Sequence, residues 1–166
     1  YEANTSSTIN KANLVVTSTD VSKVYDGTTG AVGTAVATGL QGSDAISGGS
    51  FAFTDKNAGT GKTVTVGGVT VDDGNGGDNY NVTYQANTSS AIDKADLVIT
   101  SADVTKAYDG TTGAAGSAVA AGLKGSDSLS GGSFAFTDKN AGTSKTVTVG
   151  GVTVDDGNGG ANYNVS

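Results

Sequence analysis

The side chains able to do chemistry in this sequence are carboxylates, ammonium groups, phenols and amides, and they recur in blocks. Tyr25-Asp26-Gly27 returns as Tyr108-Asp109-Gly110, and Asn79-Tyr80 returns as Asn162-Tyr163. A Tyr ring for burial, an Asp that accepts turn N–H groups and a Gly that supplies positive φ make the first block a structural turn rather than a recognition motif. The loop Asp72-Asp73-Gly74-Asn75-Gly76-Gly77-Asp78 is rich in oxygen ligands, and Ca²⁺ takes about six to eight of them. Asp72, Asp73, Asn75 and Asp78 are therefore the calcium candidates. Their spacing is not that of an EF-hand, and Asp78 is replaced by Ala161 in the second copy, so a solvated turn is the expected reading. Lys23 shares a strand face with Val21 and Tyr25, as Lys106 does with Val104 and Tyr108. These two are the candidates for a covalent Lys–Asn cross-link assisted by a carboxylate, against the commoner role of a lysine stem lying on apolar surface with its head in water.

Other chemistry is excluded or weak. The chain has no His, Cys, Arg, Met, Trp or Pro, and Glu2 is its one glutamate. A Cys/His zinc site, a thiol nucleophile, a His-based triad and an Arg phosphate clamp are thus impossible. The adjacent carboxylates Asp72-Asp73 and Asp155-Asp156 point to opposite faces of a strand, whereas glycoside hydrolysis needs two that converge across a cleft. Gly59-Thr60-Gly61-Lys62-Thr63 lacks phosphate-loop spacing and precedes a strand, not a helix. Asn4, Asn81, Asn87 and Asn164 begin N-x-[ST] sequons at a frequency that Ser/Thr abundance explains. A net charge of −7 and a pI near 4.2 oppose nucleic acid and anionic membrane as partners. No apolar run approaches a membrane span and no signal peptide is present, so with Tyr1 at its start the chain reads as an excised fragment.

The elements that must position these groups are strands. Gly makes up 27 of 166 residues, and the apolar residues alternate with polar ones in short runs without a helical stripe. Strands are expected over Leu14 to Ser18, Val21 to Tyr25, Ala35 to Leu40, Ser50 to Thr54, Lys62 to Val66, Asn79 to Tyr84 and Ala91 to Ile92. Phe51 and Phe53 fall on one face and belong to the core. Gly67-Gly68 shifts the phase of alternation, which predicts a bulge or a tight hairpin. The whole pattern repeats after 83 residues: 66 of 83 aligned positions are identical, a tandem duplication of one folded unit. Short strands, Gly-rich turns and this length predict an all-β chain of two tandem antiparallel β-sandwich modules, immunoglobulin-like in size.

Three blocks in fixed order, Lys23-Val24-Tyr25-Asp26-Gly27-Thr28-Thr29, Asp55-Lys56-Asn57-Ala58-Gly59 and Asn79-Tyr80, resemble the YDG repeat of large bacterial surface adhesins of the filamentous-haemagglutinin type. The counterparts at Tyr108-Asp109-Gly110, Asp138-Lys139-Asn140-Ala141-Gly142 and Asn162-Tyr163 extend the resemblance over both copies. It implies a secreted, cell-surface stalk repeat that supports adhesion or biofilm, without catalytic residues or a cofactor. The partners it implies are neighbouring identical modules, in the same or an adjacent chain. The runner-up is a module that binds glycan or calcium.

The resemblance also places the natural unit's start near Lys11. Residues 1–10 are then the last strand of a preceding module, 11–93 the first complete module and 94–166 a second one lacking its final strand. A spare strand and an unpaired edge predict head-to-tail strand donation between molecules.

Overall fold

A computed structural model describes residues 1–166 and contains strands only: β1 (Ala12–Ser18), β2 (Ser22–Val24), β3 (Gly30–Ala31), β4 (Ala35–Thr38), β5 (Ala45–Phe53), β6 (Gly59–Asp72), β7 (Tyr80–Tyr84), β8 (Asn87–Asp93), β9 (Ala95–Ser101), β10 (Ala118–Ala121), β11 (Ser128–Phe136), β12 (Val147–Asp155) and β13 (Tyr163–Val165). They form several sheets in two compact units. Unit 1 comprises Tyr1–Lys23, Thr29–Asp55 and Thr60–Ala91, and unit 2 comprises Val24–Thr28, Lys56–Gly59 and Ile92–Ser166. The division departs from the 83-residue repeat, because two loops of the first copy belong to unit 2.

In unit 1 a sheet of order β4-β1-β7 lies against strands of a second sheet, ordered β2-β8-β6-β5-β3. Alternation along β1 turns Leu14, Val16 and Ser18 inward, all buried. Leu14 and Val16 meet Tyr80 of β7 and Val66 and Val71 of β6, with Ala37, Ile46, Phe51 and Val69 packed around them. Apolar side chains from both sheets thus share one core, which is what stabilises thin strands of small residues.

Two expectations are corrected. The sheets are mixed, not purely antiparallel: β1 pairs in parallel with β7 (Leu14 opposite Val82), and β9 pairs in parallel with β13 (Leu97 opposite Val165). A parallel pair needs a long crossover, and the strands between β1 and β7 supply it. Gly67-Gly68 makes neither bulge nor hairpin. β5 and β6 keep one register throughout, from Phe53 opposite Val64 to Ile46 opposite Val71. Both strands instead reverse their facing at the same level, where Gly48, Gly49 and Gly68 all have positive φ. Val64 and Val66 on one side of the kink and Val71 on the other are therefore all buried despite their opposite parity.

Unit 2 repeats the first sheet as β10-β9-β13 and keeps only β11-β12 of the second. The segments aligned with β2 and with the start of β6, residues 105–107 and 142–146, form no strand, and β3 is reduced to a single Gly113–Ala135 bridge. Residues 1–10 likewise form no strand and are exposed.

Candidate functional site

The YDG loop closes locally. Asp26 Oδ1 accepts the Thr28 N–H at 2.8 Å and its hydroxyl at 2.9 Å, and Gly27 takes φ 81°. Asp109 does the same for Thr111, both at 2.9 Å, beside Gly110 at φ 79°. The short Asp side chain reaches the N–H two residues on, and only Gly takes the left-handed corner without strain.

This turn presents Tyr25 to the rest of unit 2. The ring is fully buried and meets Tyr163 edge to face, with centroids 5.4 Å apart. Both phenols donate to one oxygen: Tyr25 Oη to Asp127 Oδ2 at 2.9 Å and Tyr163 Oη to the same atom at 2.6 Å. Tyr163 Oη also accepts the Lys124 N–H at 2.8 Å. The Asp127 side chain is 3% exposed, and the Lys56 ammonium compensates it at 3.8 Å while lying 5.9 Å from the Tyr25 centroid. Burial and the neighbouring Asp127 carboxylate push the Tyr25 phenol up to about 12, and the same causes raise Tyr163.

Beside the rings, Asn162 is fully buried. Its Oδ1 accepts the Ala58 N–H at 2.8 Å and the Asn158 side-chain N–H at 3.1 Å, while its Nδ2 donates to Asn57 Oδ1 at 3.3 Å. Asp156, 2% exposed, accepts the backbone N–H groups of Asn158, Gly160 and Asn162 at 2.7, 2.9 and 3.1 Å. Burial alone would raise its carboxyl, but those three donors outweigh burial and hold it below the ordinary value. The result is a socket of Asp127, Asn162 and Tyr163 filled by a plug of Tyr25, Lys56, Asn57 and Ala58.

Unit 1 carries the same socket. Tyr80 Oη donates to Asp44 Oδ2 at 2.6 Å and accepts the Gln41 N–H at 2.8 Å. Asp73 accepts the N–H groups of Asn75, Gly77 and Asn79. Asn79, the counterpart of buried Asn162, is exposed, and so is Tyr108, the counterpart of Tyr25, at 65%.

The structure distributes the remaining candidates. Asp72 accepts from Ser47 Oγ, Asp73 is engaged by its own loop, and Asp78 pairs with Lys11 at 3.7 Å, so the four calcium candidates do not converge. No group of three or more acidic side chains gathers elsewhere at metal-binding distance. Lys23 Nζ donates to the Gly30 carbonyl at 2.9 Å and lies 5.6 Å from the Phe53 centroid. Lys106 Nζ donates to Asp109 at 2.8 Å and to the carbonyls of Thr111 and Gly113. Each lysine thus ties its loop together by its stem and its donors.

Sequence reasoning names Tyr25, Asn162 and Tyr163, and quotes Lys56, Asn57 and Ala58 within a motif block without giving them a role, but it misses Asp127. A signal for Asp127 is present: Gly42-Ser43-Asp44 returns unchanged as Gly125-Ser126-Asp127 and reads on its face as a strand-ending turn.

A buried polar site filled by the chain's own loops, in an all-β duplicated sequence, defines a tandem-repeat protein whose repeated motifs hold its own structure together. The chain belongs to the YDG domain family, whose model matches it twice in tandem, over residues 9–89 and 93–166. No curated protein and no solved structure matches the chain.

Proposed function

We propose that the chain is a non-enzymatic stalk segment of a large extracellular bacterial adhesin, whose repeats are locked by the plug and socket. The observation that carries this reading is how the motif side chains are used. Tyr25, Lys56, Asn57 and Ala58 spend their hydrogen bonds, charge and apolar surface on Asp127, Asn162 and Tyr163 instead of presenting them to a ligand. A polar network of this kind in a partly dry setting is strong when fully satisfied, which suits a chain that bears load. The absence of His, Cys and Arg supports the same reading, because it removes the commonest nucleophile–base pairs and anion clamps. The core shared between two sheets in unit 1 supports an immunoglobulin-like sandwich, with the parallel β1–β7 pair as its departure from the usual strand pattern.

Two measurements on the 166-residue protein test the proposal. Pulling between its termini should give unfolding events at a force that falls when Asn162 is replaced by Ala. A glycan panel and a calcium titration should give no saturable response. Saturable binding to one sugar class, or a melting temperature that climbs with calcium, overturns the stalk reading in favour of a ligand-binding module.

A further inference from the structure

The composition of the chain decides where an electron is most easily lost. Cys, Met, Trp and His are absent, so the six tyrosines are its most readily oxidised side chains. A phenol gives up an electron more readily when a hydrogen-bonded base takes its proton in the same step, because the alternative is a strongly acidic radical cation. Tyr1, Tyr84 and Tyr108 are exposed. The other three are buried, and each donates to a carboxylate: Tyr80 to Asp44, and Tyr25 and Tyr163 to one and the same atom, Asp127 Oδ2.

That shared acceptor fixes how the two rings of unit 2 meet. Their hydroxyl oxygens lie 2.9 and 2.6 Å from a single atom, so the phenol ends converge, and with them the ring carbons next to the hydroxyls. The rings touch edge to face, with centroids 5.4 Å apart and planes at 79°. The flanking carbons are where a phenoxyl radical carries much of its unpaired electron density. Tyr25, Tyr163, Asn162 and the Asp127 carboxylate are all buried, so a radical formed there meets its neighbouring ring before any solute. The Tyr25 phenol, pushed up to about 12, forms no phenolate at neutral pH, and Asp127 is the base placed to take its proton as the electron leaves.

We propose that Tyr25 and Tyr163 are a site of oxidative cross-linking, at which a one-electron oxidant drawing on peroxide joins the two rings by a carbon–carbon bond next to their hydroxyls. Each phenol loses one electron and, through Asp127, one proton, with Asp127 releasing the first proton to solvent before it takes the second. The two phenoxyl radicals couple, and the ring hydrogens at the new bond move to the oxygens, which restores both phenols. In sum two electrons and two protons leave the protein, and peroxide takes them up to become two molecules of water. The bond turns a socket held by hydrogen bonds into a covalent one. It also joins residues 25 and 163 directly, so that tension along the chain passes through the bond and not through the strands between them. This chemistry rests on the socket alone and holds whatever the chain as a whole does.

Brief irradiation of the dilute 166-residue protein with a ruthenium tris-bipyridine photosensitiser and persulfate, whose acquired electrons end on sulfate, tests the site. Dityrosine fluorescence and mass spectrometry of protease digests read which rings are joined. The expected product is a monomer two hydrogens lighter, with the Tyr25 peptide linked to the Tyr163 peptide. It should form at least about tenfold more in the native protein than in urea, because rings held in contact react at a far higher effective concentration than rings on a loose chain. Tyr80, which donates to Asp44 with no second phenol on that carboxylate, should stay unlinked. Tyr25→Phe keeps the ring and should abolish the link while the exposed tyrosines react as before. If that variant loosens unit 2, the comparison of native and urea-treated wild type still decides. Three results overturn the proposal: links confined to Tyr1, Tyr84 and Tyr108, equal yields of the Tyr25–Tyr163 link in native protein and in urea, or oxidation of Tyr25 that leaves Tyr163 unjoined.

Discussion

Replacing Asn162 with Ala separates the two copies of one motif. Asn162 is fully buried, and its Oδ1 accepts the Ala58 N–H at 2.8 Å while its Nδ2 donates to Asn57. The variant leaves the Ala58 donor without its acceptor, at a cost of about 1–3 kcal/mol, and removes a further hydrogen bond worth roughly 0.5–1.5 kcal/mol. Together these give roughly 2–4 kcal/mol. A domain of about 60–100 residues loses about 4–8 °C per kcal/mol, so the transition of unit 2 should fall by roughly 8–32 °C. Asn79 is the identical residue in the first copy, but it is exposed and its side chain accepts only from Asn75. Asn79→Ala should therefore stay within about 0.5 kcal/mol of the parent. Calorimetry reads the two transitions, and amide exchange at Ala58 reads the lost bond directly. Equal destabilisation by both substitutions, or an Ala58 amide as protected in Asn162→Ala as in the parent, would refute the socket.

Further outcomes follow from other parts of the structure. Phe53→Ala, which removes a ring only 3% exposed, should cost unit 1 about 3–5 kcal/mol by chemical denaturation, and Phe136→Ala distinctly less because its ring is half-buried. The Tyr25 phenol is raised in the fold from 10.0 to about 12, so its contribution is complete below pH 10 and is lost as the pH climbs towards 12, the unfolded chain giving up its proton first. Denaturation midpoints of unit 2 should hold to about pH 9.5 and drop above it, less steeply in Tyr25→Phe. Gly39→Ala and Gly122→Ala should each prevent or nearly prevent folding of their unit, seen as lost strand circular dichroism: a Cβ there would lie 2.3 Å from the Asn13 carbonyl or 2.4 Å from that of Asp96, at φ near +110° where side chains are strained.

The duplication, the strand-only architecture and the YDG turn are all legible in the residues, because each depends on local properties. Alternation of Leu14 and Val16 buries one face of a strand wherever that strand lies, and Asp26 closes its turn with atoms two residues away. The kink at Gly67-Gly68 is half legible: its position shows in the broken alternation, but its form depends on the matching glycines of β5, which reverse with it and keep the register. The parallel pairing of β1 with β7 is invisible locally, since the same side chains suit either direction. The fate of the repeated motifs lies furthest from the sequence. Tyr25 and Tyr108 have the same turn behind them, and Asn162 and Asn79 sit in the same loop, yet one of each pair is buried and the other exposed. Local propensity is equal for identical segments, so what differs is which surface each one meets, and only tertiary contacts decide that.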